Sequence, residues 1–156
     1  MKVSLRRPRP DEAAALSALC LRSKASHGYD DDFMDACRDE LAVRLPASND
    51  GMIVAVVDGR LAGMAELSMS GTDAELEKLF VEPDFFRRGV GKALFGHIAE
   101  AAAARGACRL GLDADPGAVA FYRSMGAVET GSSESASIPG RYLPRMELAL
   151  DAVSSG

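Results

Sequence analysis

Histidine is scarce in this chain: His27 and His97 are the only two. A multi-histidine metal site is therefore excluded, and no metal is expected. Cysteine is nearly as rare. Cys20, Cys37 and Cys108 are odd in number and widely spaced, with no Cys-x-x-Cys. They read as reduced, buried small hydrophobes of a cytoplasmic protein. Long apolar runs are missing, so no membrane span is expected. The segment Met1-Lys2-Val3-Ser4-Leu5-Arg6-Arg7 lacks the apolar core of a signal peptide. Positive charge is in deficit: a net charge of −5 argues against non-specific nucleic-acid binding as the main task. What remains is an ordinary soluble composition, 47% hydrophobic and 26% charged over 156 residues. That length suits one domain, 1–156, with a frayed tail at 151–156.

Hydrophobic patterning gives the elements. Val3 to Arg6 alternates as a short strand. Pro10-Asp11-Glu12 opens a helix, with Ala13, Leu16, Leu19 and Cys20 as its apolar stripe, running to about Ser23. His27-Gly28-Tyr29 breaks it. Asp30-Asp31-Asp32 starts a second helix whose buried face is Phe33, Cys37 and Leu41, ended by Pro46. Met52 to Val57 is a β-favouring run covered on both faces. Asp58-Gly59 is a two-residue hairpin signal, and Leu61 to Met69 returns. Gly71-Thr72-Asp73 turns again into a strand from Ala74 to Val81, completing an antiparallel meander. Alternation fails inside this strand, because Ala74 and Leu76 fall on one face and Leu79 and Val81 on the other. A β-bulge between Leu76 and Leu79 is expected. A helix from about Gly89 to Arg105-Gly106 and a strand at 108–112 then imply a parallel crossover. A short helix closes at Gly126. Ala127-Val128-Glu129 is a short strand, 130–141 a serine- and glycine-rich loop, and Leu143 to Leu150 a last strand.

The chain is organised around Leu79 to Lys92. Pro83 ends a strand, and Gly89 and Gly91 let backbone approach a ligand. The helix that follows presents free N–H groups and the positive end of its dipole. Arg87, Arg88 and Lys92 add charge there. Residues 87–92 are therefore expected to hold a phosphate or pyrophosphate. A P-loop is ruled out, since Phe86 stands where glycine is needed and Ala93 where Ser or Thr is needed. A dinucleotide fingerprint fails because Leu94 replaces its third small residue.

Val81, Pro83, Gly89 and Gly91 fit V-x-P-x-x-[QR]-x-x-G-x-[GA], with Phe86 at the Gln/Arg position. In that respect the stretch resembles motif A of the GNAT superfamily of N-acetyltransferases. Ala118 to Gly126 is similar to the family's A-x-x-F-Y-x-x-x-G, and the order of elements from residue 3 to 150 agrees. The resemblance implies an α/β (α+β) fold: a mixed sheet of about six or seven strands, antiparallel meander plus parallel crossover, flanked by about four helices. It implies acetyl-CoA as cosubstrate, in an opening between the strand ending at Val81 and the strand at 108–112. Its pantetheine arm would pair with backbone at Leu79, Phe80 and Val81, and its pyrophosphate would sit on the amides of Arg87, Arg88, Gly89, Val90, Gly91 and Lys92. Asp115 falls near the cofactor, where many members have Asn.

The implied reaction is direct transfer of acetyl to a primary amine of a small molecule or protein. Tyr122 aligns with the tyrosine that protonates the departing thiolate. A phenol of pKa near 10 suits a thiolate of roughly 8.5. Glu66, Glu75 and Glu77 lie on strands bordering the implied opening, and Glu77 is the first choice as base because it sits in the expected bulge. The family's acceptor region corresponds to His27–Phe33 and Ser137–Tyr142, where Arg141 is a candidate contact for a substrate carboxylate. A non-catalytic CoA-binding module and an enzyme using a longer acyl-CoA are the competing readings. A homodimer is an expectation from the resemblance alone.

Overall fold

The computed structural model describes residues 2–45 and 51–150. The expected helix stop at Pro46 and the expected frayed tail at 151–156 lie outside the described residues. Among those described, seven strands form one mixed sheet and four α-helices accompany it. The strands are β1 (Ser4–Arg6), β2 (Met52–Val57), β3 (Arg60–Ser70), β4 (Asp73–Val81), β5 (Arg109–Asp113), β6 (Val128–Glu134) and β7 (Tyr142–Ala149). The helices are α1 (Ala13–Ala25), α2 (Asp31–Leu41), α3 (Val90–Ala104) and α4 (Val119–Ser124). The sheet order is β1-β2-β3-β4-β5-β7-β6. Contacts cluster into two compact units, residues 1–66 with 78–94, and residues 67–77 with 95–156.

In the first unit, β2 pairs antiparallel with β1 and β3, and five of its six residues are buried. The continuous apolar run Met52–Val57 therefore forms a central strand, as its sequence suggests. Asp58 and Gly59 take φ of 49° and 78°, the two left-handed residues of a primed hairpin turn. Pro10–Glu12 forms a 3₁₀ turn leading into α1, which buries Leu16, Leu19, Cys20 and Ser23. Asp30 caps α2 by accepting from the Phe33 N–H at 2.8 Å.

One helix face differs from expectation. Met34, Cys37 and Leu41 are the buried residues of α2, while Phe33 is only half-buried. Phe33 stacks on Tyr29 with centroids 4.0 Å apart, and the Lys24 ammonium lies over both rings. That local aromatic contact holds Phe33 outside the stripe and lets Met34 enter it.

In the second unit, β4 pairs parallel with β5 through Asp73↔Arg109, Ala74↔Leu110 and Glu75↔Gly111. The crossover through α3 is thus parallel, as read. The burial alternation of β4 ends after Leu76: Ala74 and Leu76 are buried, Leu79 and Val81 half-buried. β7 pairs antiparallel with both β5 and β6. The loop expected over 130–141 is half strand, because β6 continues to Glu134. All but one of its residues are exposed, so no apolar period marks it. Backbone pairing to β7 alone defines this edge strand, with an irregularity between Glu129 and Gly131. Cys108 is exposed rather than buried, since it sits in the bend ahead of β5. No helix among the described residues is long and apolar enough to cross a membrane.

Candidate functional site

The loop before α3 is built by successive anchors within the first unit. β4 ends at Val81, and the Glu82 N–H donates to the Ala62 carbonyl at 2.8 Å. Pro83–Phe85 forms one 3₁₀ turn, closed by Phe85 N–H on Glu82 O at 2.8 Å. Phe85 is buried, and the Arg60 guanidinium lies 5.0 Å from its ring centroid. Beyond it, Phe86, Arg87, Arg88 and Gly89 are all exposed. Arg87 and Gly89 take φ of 62° and 83°. Left-handed backbone is costly for arginine but free for glycine. Left-handed residues in such a turn can aim N–H groups toward one side, a concavity suited to an anion.

The start of α3 continues that surface. The first of its amides to close a helical bond is Ala93, on Gly89 O at 3.0 Å. The N–H groups of Gly89, Val90, Gly91 and Lys92 precede it and have no acceptor within the helix. Val90 is buried and anchors the turn; Lys92 is exposed. Gly91 falls inside the first turn of α3 rather than in the loop. Leu79, Phe80 and Val81 are the half-buried last residues of β4. All these candidate cofactor residues thus share one unit.

Gly63 on β3 is a packing position beneath the candidate loop that the sequence reading missed. A Cβ there would stand 2.9 Å from the Phe80 carbonyl oxygen, 2.9 Å from Leu94 Cδ1 and 3.1 Å from Val90 Cγ1. The first turn of α3 can seat on the strands only because this side chain is absent.

The second unit holds most of the candidate catalytic side chains. Tyr122 on α4 is buried against Phe95 and Phe121, with ring centroids 5.8 and 5.2 Å away. Its hydroxyl donates no hydrogen bond to any described residue. Burial, and secondarily the Asp115 carboxylate, raise its pKa above the ordinary phenol value. Asp115 accepts from the Gly117 N–H at 2.9 Å and so caps the 3₁₀ turn ahead of α4. The same carboxylate lies 3.7 Å from the Arg141 guanidinium, both side chains being largely shielded. The structure therefore brings Asp115 and Arg141 together, although the sequence suggested separate roles for them.

The three candidate bases are distinguished by their partners. Glu66 lies 3.4 Å from the Lys78 ammonium. Glu75 accepts from both Nη1 and Nη2 of Arg145, the latter at 2.6 Å, and Arg145 also meets Asp113 at 3.2 Å. Gly111 makes room for that guanidinium, which a Cβ would strike. The pair borders a cavity of about 270 Å³, whose walls include Ser68, Ser70, Asp73 and Glu147. Glu77 is exposed and, among the described residues, accepts from Ser68 Oγ alone, at 2.9 Å. It is the one candidate without a cationic partner among the described residues. Cys20 is inert by contrast: burial pushes its thiol up to about 12.

Comparison with known proteins accounts for this combination. Residues 16–127 match the acetyltransferase (GNAT) family. The [ribosomal protein bS18]-alanine N-acetyltransferase of Salmonella typhimurium is 32% identical over 99 residues, 62% of this chain and 63% of that protein. The alignment thus spans somewhat less than two thirds of this curated relative. A GCN5-related N-acetyltransferase from Rhodopseudomonas palustris superimposes with a TM-score of 0.80 at 28% identity, over 96% of this chain and 97% of that one. The PaiA N-acetyltransferase of Thermoplasma acidophilum, solved with coenzyme A, shares the fold with a TM-score of 0.77 at 17% identity, covering 96% and 99%. A family match over most of the chain, on a fold that places a glycine loop before α3 and a tyrosine on α4, shows that the chain belongs to the GNAT family of acetyltransferases.

Proposed function

We propose that this protein is an N-acetyltransferase that moves acetyl from acetyl-CoA directly to a primary amine. The observation that carries this reading is the start of α3. There, left-handed Arg87 and Gly89 lead into four N–H groups without helical acceptors, flanked by exposed Arg87, Arg88 and Lys92. Such a surface fits a pyrophosphate by its amides and dipole, with the cations adding charge. Phe86, exposed at the family's Gln/Arg position, leaves that task to the amides and neighbouring cations. The half-buried end of β4 at Leu79–Val81 is the stretch proposed to pair with the pantetheine arm as an added strand, with the expected bulge between Leu76 and Leu79 part of the same proposal.

In this reading the neutral amine attacks the thioester carbonyl, and a C–N bond forms as the C–S bond breaks. The thiolate takes its proton from the Tyr122 hydroxyl, which solvent then restores. Burial keeps the phenol protonated at working pH, so it is in the donor form when the thiolate departs. The nitrogen loses its proton to Glu77 or, through it, to water. Glu77 suits this role because no cation among the described residues pairs with it. Arg141, paired with Asp115, is the contact proposed for an acceptor carboxylate. The curated relatives act on an alanine of a ribosomal protein. An α-amine, of a protein or an amino acid, is therefore the acceptor class to test first.

Titration calorimetry with CoA, followed by thiol release from acetyl-CoA across a panel of amines and amino-terminal peptides, tests the reading. Binding together with amine-dependent release is expected. Binding without release for any amine would instead make the protein a CoA-binding module.

A further inference from the structure

The exposed residues 86–89 owe their position to what precedes them, and Glu82 is the most heavily constrained residue there. Its N–H is tied to Ala62 and its carbonyl to Phe85. Its side chain is tied as well. Arg22, in the last turn of α1, donates from Nε to Glu82 Oε1 and from Nη2 to Oε2, both at 2.7 Å. This is a two-pronged guanidinium–carboxylate pair, the geometry that fixes orientation as well as distance. The carboxylate is shielded, with 12% of its side chain exposed, while the arginine is 55% exposed. A purely solvated surface pair would leave both groups open and contribute little. Here the arginine reaches in from another element to hold a shielded acid at the root of the loop. The guanidinium is charged at every working pH, and the Glu82 hydrogen bonds raise its pKa further. A second pair, Arg60 to Asp84 at 3.2 Å, is open to solvent on both sides and lacks this geometry.

We propose that Arg22 is a positioning residue for the phosphate-binding loop, acting through Glu82. The fork fixes where β4 hands over to the 3₁₀ turn, and hence where Arg87 and Gly89 aim their amides. Arg22 touches no ligand in this scheme. Its loss lets the Glu82 carboxylate seek water and the loop root rotate, which weakens cosubstrate binding and leaves the transfer step alone. The inference rests on residues 87–92 being the CoA grip.

The test measures CoA affinity by calorimetry, kcat and KM for acetyl-CoA, and thermal unfolding. It compares wild type with Arg22→Ala, Arg22→Lys, Glu82→Gln and the Arg22→Ala/Glu82→Gln double variant. Arg38→Ala, which breaks the exposed Arg38–Asp35 pair on α2, is the control. Arg22→Ala and Glu82→Gln are each expected to weaken CoA binding about tenfold, the effect of losing one charge-assisted hydrogen bond's worth of ordering. The kcat at saturating acetyl-CoA should stay within about twofold of wild type. Arg22→Lys should recover only part of the loss, since lysine keeps the charge without the fork. The double variant should be no weaker than either single one. If Arg22→Ala unfolds, Glu82→Gln carries the test, because it preserves shape and both backbone bonds. Wild-type binding that all four variants match would overturn the positioning role. Failure of wild type itself to bind CoA would instead overturn the reading of the loop.

Discussion

The segment 82–92 and the segment 113–145 offer opposite kinds of candidate site. The first offers main chain: N–H groups without helical acceptors, left-handed Arg87 and Gly89, and cations that stay exposed. The second offers side chains: a buried phenol, a capping carboxylate and a guanidinium held against it. A main-chain site tolerates varied side chains but not altered backbone. A side-chain site tolerates altered neighbours but not loss of one functional atom. The two should therefore fail differently when mutated: one in cosubstrate affinity, the other in turnover.

The largest expected effect belongs to the second segment. Tyr122→Phe keeps the ring between Phe95 and Phe121 and removes only the hydroxyl. General-acid assistance is worth about 100-fold or more in rate, so kcat should fall by that order while CoA affinity stays near wild type. Stopped-flow acetyl transfer with calorimetric CoA binding separates the two quantities. An unchanged kcat would remove Tyr122 from the chemistry and leave α4 a structural helix.

The counterpart in the first segment is Gly63→Ala. The new methyl would meet the Phe80 carbonyl and Val90, and the backbone oxygen cannot swing aside as a leucine tip can. Overpacking of this kind costs about 1–3 kcal/mol, or a fall of roughly 2–4 °C in Tm for each of them in a chain this size. Because the displaced turn carries the free amides, CoA affinity should fall with stability while kcat at saturation holds. A drop in Tm with unaltered CoA binding would detach Gly63 from the site.

This contrast also explains what could be read in advance. Val81, Pro83, Gly89 and Gly91 mark a main-chain site because backbone conformation is local and leaves local residue signatures. Met52–Val57, Asp58-Gly59 and Asp30 were legible for the same reason. Side-chain pairs are not local. Nothing near Asp115 announces Arg141, nothing near Glu75 announces Arg145, and Arg22 and Glu82 join different elements. The continuation of β6 from Thr130 to Glu134 is not legible because an exposed edge strand needs no apolar period. Met34 displaced Phe33 because a ring stack outside α2 competed with its burial.

The smallest effects expected are in stability against pH, and they again divide the two regions. In the first unit, Arg6 donates to both carboxylate oxygens of Glu12 at 2.9 and 2.8 Å, and the Arg9 N–H adds a bond at 2.7 Å. The Arg6 hydrogen bonds, with help from Arg9, hold the Glu12 pKa at about 2, below its usual 4.5. From pH 4.5 down to 2 the unfolded chain binds a proton that the folded chain refuses, so stability declines as pH falls through that window. In the second unit, Tyr122 is shifted upward, so its contribution is complete below the ordinary phenol pKa and declines as pH rises beyond it. Glu12→Gln should lose about 1 kcal/mol at neutral pH, the scale of a well-formed partly exposed pair, and show a shallower slope on the acid side only. Tyr122→Phe should flatten the alkaline side only. Urea unfolding of both variants between pH 2 and 11 would show it. If Glu12→Gln kept the wild-type acid slope, the acid sensitivity would have to come from carboxylates other than Glu12, and the Arg6 pair would be no more than a surface contact.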